Sequence, residues 1–147
     1  ILYVTHDHIE ATTMADRIGV LKDGVLSQIG TPEEIYDNPN SIYVANRLGS
    51  PKINIFDLGK TKIPSKNKAT YAGIRPEDIS ITNKGHYDVY IETVELLGAE
   101  TVISFKSDNI NGMILTQTSD TFEEGKKIKI ALNNKKMLYF DNNGMRI

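Results

Sequence analysis

His6, His8 and Glu10, with Asp7 between the two histidines, form the densest group of side chains able to do chemistry in this sequence. As metal ligands, the pattern H-x-H-x-E would place neighbours in a turn and an early helical turn. It lacks the i, i+4 histidine pair that sets two imidazoles on one face of a zinc helix, so the spacing argues against a metal site. As part of a Ser-His-Asp triad, His6 and Asp7 have no serine in a G-x-S-x-G elbow, the strained turn that exposes such a nucleophile. As local structure, Asp7 followed three residues later by Glu10 has the form of a capping box, whose first member accepts hydrogen bonds from the free N–H groups of a starting helix. Capping is the simplest account of Asp7, and it leaves His6 at a strand-to-helix turn.

The remaining candidates have structural readings of equal or greater weight. Arg75-Pro76-Glu77 could present a charged pair to a ligand, but Pro76 fixes the backbone for a turn in which Arg75 pairs with Glu77 or with a carbonyl. Tyr87, Tyr90 and Phe105 would be the aromatic platform of a nucleic-acid site. Tyr87 shares the apolar phase of Val89 and Ile91, however, and no arginine cluster accompanies the three. Lys52, Lys60, Lys62, Lys66 and Lys68 read as a solvated face. With 17 basic and 19 acidic residues, the net charge of -2 gives no footprint for duplex DNA or an anionic membrane. The absence of cysteine excludes disulfides, thiolate metal sites and thiol nucleophiles, and fits a reducing compartment.

The elements that position these residues follow from periodicity. Ile1–Val4 is a short apolar, β-branched run that reads as a buried strand of a parallel sheet, and its start without any polar lead-in reads as a cut within a longer chain. A helix is expected over Ile9–Arg17. Ile18–Leu21 and Val25–Ile29 flank Lys22-Asp23-Gly24 and predict a hairpin. Thr31-Pro32-Glu33-Glu34 carries a second capping box, opening a short helix to Asp37, and Ser41 opens another through Leu48 before Gly49 and Pro51. Residues 52–68 read as a linker. Thereafter seven strands are expected, at Thr70–Ile74, Asp78–Thr82, Tyr87–Leu97, Thr101–Lys106, Gly112–Thr118, Lys127–Leu132 and Met137–Phe140, enough for a small barrel. Along Tyr87–Leu97 the apolar phase slips between Ile91 and Val94, which predicts a bulge, and Gly98 permits a bend after it. The fold class is therefore mainly β, an OB-type small barrel preceded by a short α/β segment.

Several phrases in order, Tyr3-Val4-Thr5-His6-Asp7, Ala15-Asp16-Arg17-Ile18, Leu21-Lys22-Asp23-Gly24 and Gln28-Ile29-Gly30-Thr31-Pro32-Glu33-Glu34-Ile35-Tyr36, resemble the ATP-binding subunits of bacterial ABC importers. Gly49-Ser50-Pro51-Lys52-Ile53-Asn54 and Gly73-Ile74-Arg75-Pro76-Glu77-Asp78 are similar to the maltose, multiple-sugar and glycerol-phosphate branch. The resemblance implies that residues 1–50 end an ABC ATPase domain and that residues 51–147 form the OB-type regulatory domain called TOBE. It implies that His6 is the switch histidine that contacts the γ-phosphate of ATP, the Mg-bound cofactor of the intact protein. An imidazole at a strand end can donate to developing phosphate charge, and positioning with electrostatics carries most of phosphoryl transfer. This sequence holds no G-x-x-x-x-G-K-[ST] phosphate cradle, so for the chain alone no cofactor or catalysis is expected and His6 reads as a solvated turn residue. The implied partners are transmembrane permease subunits, a second copy of the subunit and a transport-regulating protein, at the cytoplasmic face of the membrane. Nucleic acid is not among them. Exposed strand edges at Ile1–Val4 add the expectation of a homodimer. The alternative is a stand-alone OB-type module binding an oligosaccharide or a small oxyanion.

Overall fold

The computed structural model describes residues 1–117 and 121–147. Its elements open with helix α1 (His8–Met14), hairpin strands β1 (Ile18–Lys22) and β2 (Val25–Gly30), and helices α2 (Pro32–Asp37) and α3 (Ile42–Ala45). Strands β3 (Asn54–Asp57), β4 (Tyr71–Ile74), β5 (Ile79–Ile81), β6 (Tyr87–Leu97), β7 (Glu100–Lys106), β8 (Asn111–Thr116), β9 (Lys127–Leu132) and β10 (Leu138–Phe140) follow, and the protein is mainly β as expected. Thr118, the expected end of β8, lies outside the described residues. Among the described residues no helix is long and apolar enough to cross a membrane.

Local chemistry accounts for the first elements. Asp23 and Gly24 both adopt positive φ, 51° and 78°, so the β1–β2 connection is the two-residue turn whose twist matches the flanking strands. Thr31 Oγ1 accepts from Glu34 N at 3.1 Å while Glu34 Oε2 accepts from Thr31 N at 2.8 Å, completing the expected capping box with Pro32 in the first helical turn. Ile35, Val44, Leu48, Ile18 and Val20 close a small core beneath this hairpin-and-helix unit. Each buried aliphatic side chain there contributes about 1.5–3 kcal/mol.

Four expectations are corrected. Ile1–Val4 forms no strand: no ladder pairs it, and all four side chains are exposed, because a lone extended run leaves its N–H and C=O groups without partners. Helix α1 ends at Met14 rather than Arg17, since Ala15 turns extended and Asp16 and Arg17 form the bend that leads into β1. Helix α3 ends at Ala45 rather than Leu48. Arg47 N bonds back to Val44 O in a tighter turn, and Gly49, at φ 105°, reverses the chain. Residues 52–68, read as a linker, in fact hold strand β3 and bury Ile53, Phe56 and Ile63.

The β region forms a three-stranded sheet ordered β10-β4-β3 and a five-stranded sheet ordered β5-β9-β6-β7-β8, all pairs antiparallel. The larger sheet curls until its edges β5 and β8 come within 8 Å of each other at Cα, but no ladder joins them, so the barrel approaches closure without completing it among the described residues. The expected bulge lies between Ile91 and Thr93, where β6 changes partners from β9 to β7. One core takes side chains from both sheets: Phe56, Ala72 and Ile74 from the smaller, Val89, Ile91, Ile103, Phe105, Ile114 and Ile130 from the larger. Gly98, at φ 74°, begins the two-residue turn that closes β6 onto β7.

Candidate functional site

The turn that carries His6 is built by its neighbours. Asp7 Oδ1 accepts from Ile9 N at 2.8 Å and Glu10 N at 3.1 Å, so the expected cap is present. The box is not completed. Glu10 Oε2 is taken by Thr5 Oγ1 at 2.9 Å and by Tyr3 OH, while Asp7 N donates to Thr5 Oγ1 at 3.0 Å. Thr5 does for Asp7 what Glu10 was expected to do, because its hydroxyl can both accept from one group and donate to the other. His6 stands exposed at the head of this knot, with His8 exposed beyond it. Among the described residues no three His, Asp or Glu side chains converge as a metal-binding group.

The denser polar assembly is elsewhere, where the hairpin-and-helix unit meets the sheets. Arg75, at the end of β4, is 4% exposed. Its Nη1 donates to Ala45 O at 2.9 Å and Leu48 O at 2.8 Å, and its Nη2 donates to Tyr36 O at 2.8 Å. The guanidinium carbon lies 3.9 Å from the centre of the Tyr36 ring, a stacked cation–π arrangement, and the Tyr36 hydroxyl donates to Glu77. Arg75 thus pairs with carbonyls, one of the two partners expected from sequence, while Glu77 takes Tyr36 instead. Burial lowers the Arg75 pKa from its usual value, with nearby Tyr36 and Glu77 opposing the shift. Burial, then the hydrogen bond to Glu77, raises that of Tyr36. Asp78 is also raised, by burial and by Glu77 beside it.

Two further ties cross the same junction. Ile42 N donates to Gly144 O at 2.8 Å and Arg146 N to Asn40 O at 2.9 Å, so the C-terminal residues pair with the start of α3. Ala45, Ile53, Leu138 and Phe140 form a shared apolar cluster. Nothing in the local sequence marked Arg75 as the centre of this junction, because its partners lie 27 to 39 residues away.

Between β5 and β8 a shallow groove of about 450 Å³ is lined by Glu77, Ser80, Glu100, Thr116 and Phe122 among others. Among the described residues two carboxylates and no cationic side chain line it, a poor setting for an oxyanion ligand. Of the aromatic candidates, Phe105 is 1% exposed inside the core, Tyr87 packs partly buried against that core, and Tyr90 alone faces solvent. They form no common platform.

A curled five-stranded antiparallel sheet packed with a smaller one is consistent with an OB-type β domain, and residues 72–140 match the family model of the TOBE domain. The chain is 40% identical over 121 residues to the sn-glycerol-3-phosphate import ATP-binding protein UgpC of Psychromonas ingrahamii, an alignment covering 72% of this chain and 32% of that protein. It is 42% identical over 116 residues to the protein of the same name from Brucella abortus, covering 69% and 33%. For that of Chromobacterium violaceum it is 34% identical over 161 aligned positions, covering 95% and 44%. The chain thus carries a match to the TOBE domain and is similar to import ATP-binding proteins, and it spans about a third to two-fifths of the length of these relatives.

Proposed function

We propose that this chain is the C-terminal regulatory portion of an importer ATP-binding subunit, with residues 1–50 ending the ATPase domain and residues 51–147 forming the TOBE regulatory domain. The observation that carries this reading is a similarity running from end to end of the chain: one relative aligns with 95% of it. In the intact protein, Mg-ATP would be bound and hydrolysed between two copies of the subunit at the cytoplasmic face of the membrane. The two copies would drive a permease that imports a sugar or sn-glycerol-3-phosphate, and a regulatory protein would dock on the TOBE domain. The chain alone carries no phosphate cradle and acts as a structural and regulatory unit rather than an ATPase. His6 is the residue through which residues 1–50 would take part in hydrolysis, its exposed imidazole meeting the γ-phosphate and orienting the attacking water.

Calorimetric titration with Mg-ATP tests this directly. No binding is expected for residues 1–147, and binding is expected once the protein is extended N-terminally through a phosphate loop. Micromolar binding by residues 1–147 themselves would overturn the assignment in favour of a nucleotide-binding barrel. In the intact subunit, His6→Ala is expected to slow ATP hydrolysis about 100-fold while leaving nucleotide affinity nearly unchanged, the pattern of an interaction made in the transition state. An unchanged turnover rate would remove His6 from the mechanism.

A further inference from the structure

Arg75 satisfies carbonyls that helices cannot satisfy for themselves. Tyr36 O belongs to the last turn of α2, Ala45 O is the last carbonyl of α3, and Leu48 O lies in the turn that follows. The last four carbonyls of any helix lack an internal partner and carry its negative partial charge. A single guanidinium from the sheet region therefore closes two helix ends at once. Gly49 makes room for it: at φ 105°, a Cβ there would lie 3.2 Å from Arg75 Nη1 and 3.1 Å from the Tyr36 ring. Glu77, two residues along from Arg75, holds the far end of that ring through its hydroxyl, so the ring is gripped at its face and at its tip by the same turn.

We propose that Arg75 is a conformational latch that makes the α2–α3 segment and the TOBE domain unfold as one cooperative unit rather than as two. Without it, the apolar cluster at Ala45 and Phe140 and the pairing of residues 40–42 with 144–146 would still hold the two together. The helix ends would be left with three open carbonyls, and α2–α3 would open locally at a lower free energy than the sheets. Lysine cannot replace arginine here. It keeps the charge, but its single ammonium cannot span three carbonyls in a planar fork or stack on Tyr36. On the functional reading above, this latch is also how an event at the TOBE domain would be felt in the ATPase segment. The coupling itself does not depend on that reading, so failure of one is distinguishable from failure of the other.

Scanning calorimetry and amide exchange on the wild-type chain, Arg75→Lys and Tyr36→Phe provide the test. The wild type should melt in one transition whose calorimetric and van't Hoff enthalpies agree. In Arg75→Lys, the amides of Ala45 and Asn46, which close α3, should lose about 100-fold of their protection while those of β7 keep theirs, and the melt should resolve into two transitions. Tyr36→Phe, which keeps the ring but drops the grip of Glu77, should show the same selective loss at about tenfold. It also serves as the measurement should Arg75→Lys not fold. As a control, Ile103→Val in the sheet core should lower the single transition without splitting it. A uniform loss of protection across α3 and β7, or a single undivided melt in Arg75→Lys, would overturn the proposal.

Discussion

Replacing Phe105 with alanine is expected to lower the unfolding free energy by about 3–5 kcal/mol, the range for removing a fully buried aromatic side chain. Phe105 is 1% exposed in β7, pairs across the sheet with Ile91 on one side and Gly112 on the other, and lies in the core that both sheets share. Truncation would leave a cavity there, and β7 resists collapse into it because it is held by a ladder on each side, to β6 and to β8. Urea unfolding should show the midpoint falling with an unchanged slope, since the surface exposed on unfolding stays nearly the same. The measurement also decides between two roles. An aromatic side chain that stacked on bases would stand in solvent, and Phe105→Ala would then change stability by less than about 0.5 kcal/mol. A small effect of that kind would reopen the nucleic-acid reading of Tyr87, Tyr90 and Phe105.

What was legible in the sequence was local. The Asp23-Gly24 turn, the Thr31–Glu34 capping box and the slip of phase near Ile91 each depend on a few consecutive residues, and each took the expected form. The glycine at 98 and the proline at 32 worked for the same reason, since their backbone limits travel with the residue. What was not legible depended on distant partners. Strand β3 was hidden because its inward positions are Asn54 and Phe56, one polar and one apolar, in a lysine-rich stretch. The alternation that betrays a half-buried strand was therefore broken by a buried amide. Ile1–Val4 looked like a strand because composition supplied the propensity, but pairing is a property of neighbours, and the described residues offer none. Helix α3 stops short for a similar reason: Arg75 takes the carbonyls of Ala45 and Leu48, and the chain turns at Gly49. Of the candidate site, the cap at Asp7 was readable and its reinforcement by Thr5 was not, because a threonine two residues ahead of an N-cap has no fixed partner in sequence. The Arg75 junction was named only as a turn.

Substituting Asn54 with aspartate should destabilise the protein by about 3 kcal/mol at neutral pH, although the two side chains have the same shape. The Asn54 side chain is 7% exposed and behaves as a surrogate peptide group. Its Oδ1 accepts from Met113 N at 2.7 Å, and its Nδ2 donates to Met113 O at 2.9 Å and to Ile74 O at 3.3 Å. Through this pair of bonds β3 reaches β8, an edge strand of the larger sheet, and the two sheets are held together by a polar contact as well as by their shared core. Gly112 leaves the space for it, since a Cβ there would overlap the Asn54 amide. A carboxylate could still accept from Met113 N but could donate to neither carbonyl, and its charge would be buried without a cation. Burial would raise its folded-state pKa above the unfolded value of about 3.9. Below the unfolded pKa the acid is protonated in both states, is neutral, and offers one O–H to Met113 O, so the deficit is smallest there. As pH rises from the unfolded pKa through the raised folded one, the native state holds the proton longer than the unfolded state and stability falls, widening the gap from wild type. Urea unfolding of both proteins from about pH 4 to about pH 8 measures that gap. A deficit that stays constant over this range, or one below about 1 kcal/mol, would mean that Asn54 is wetter and less committed to β8 than its hydrogen bonds imply.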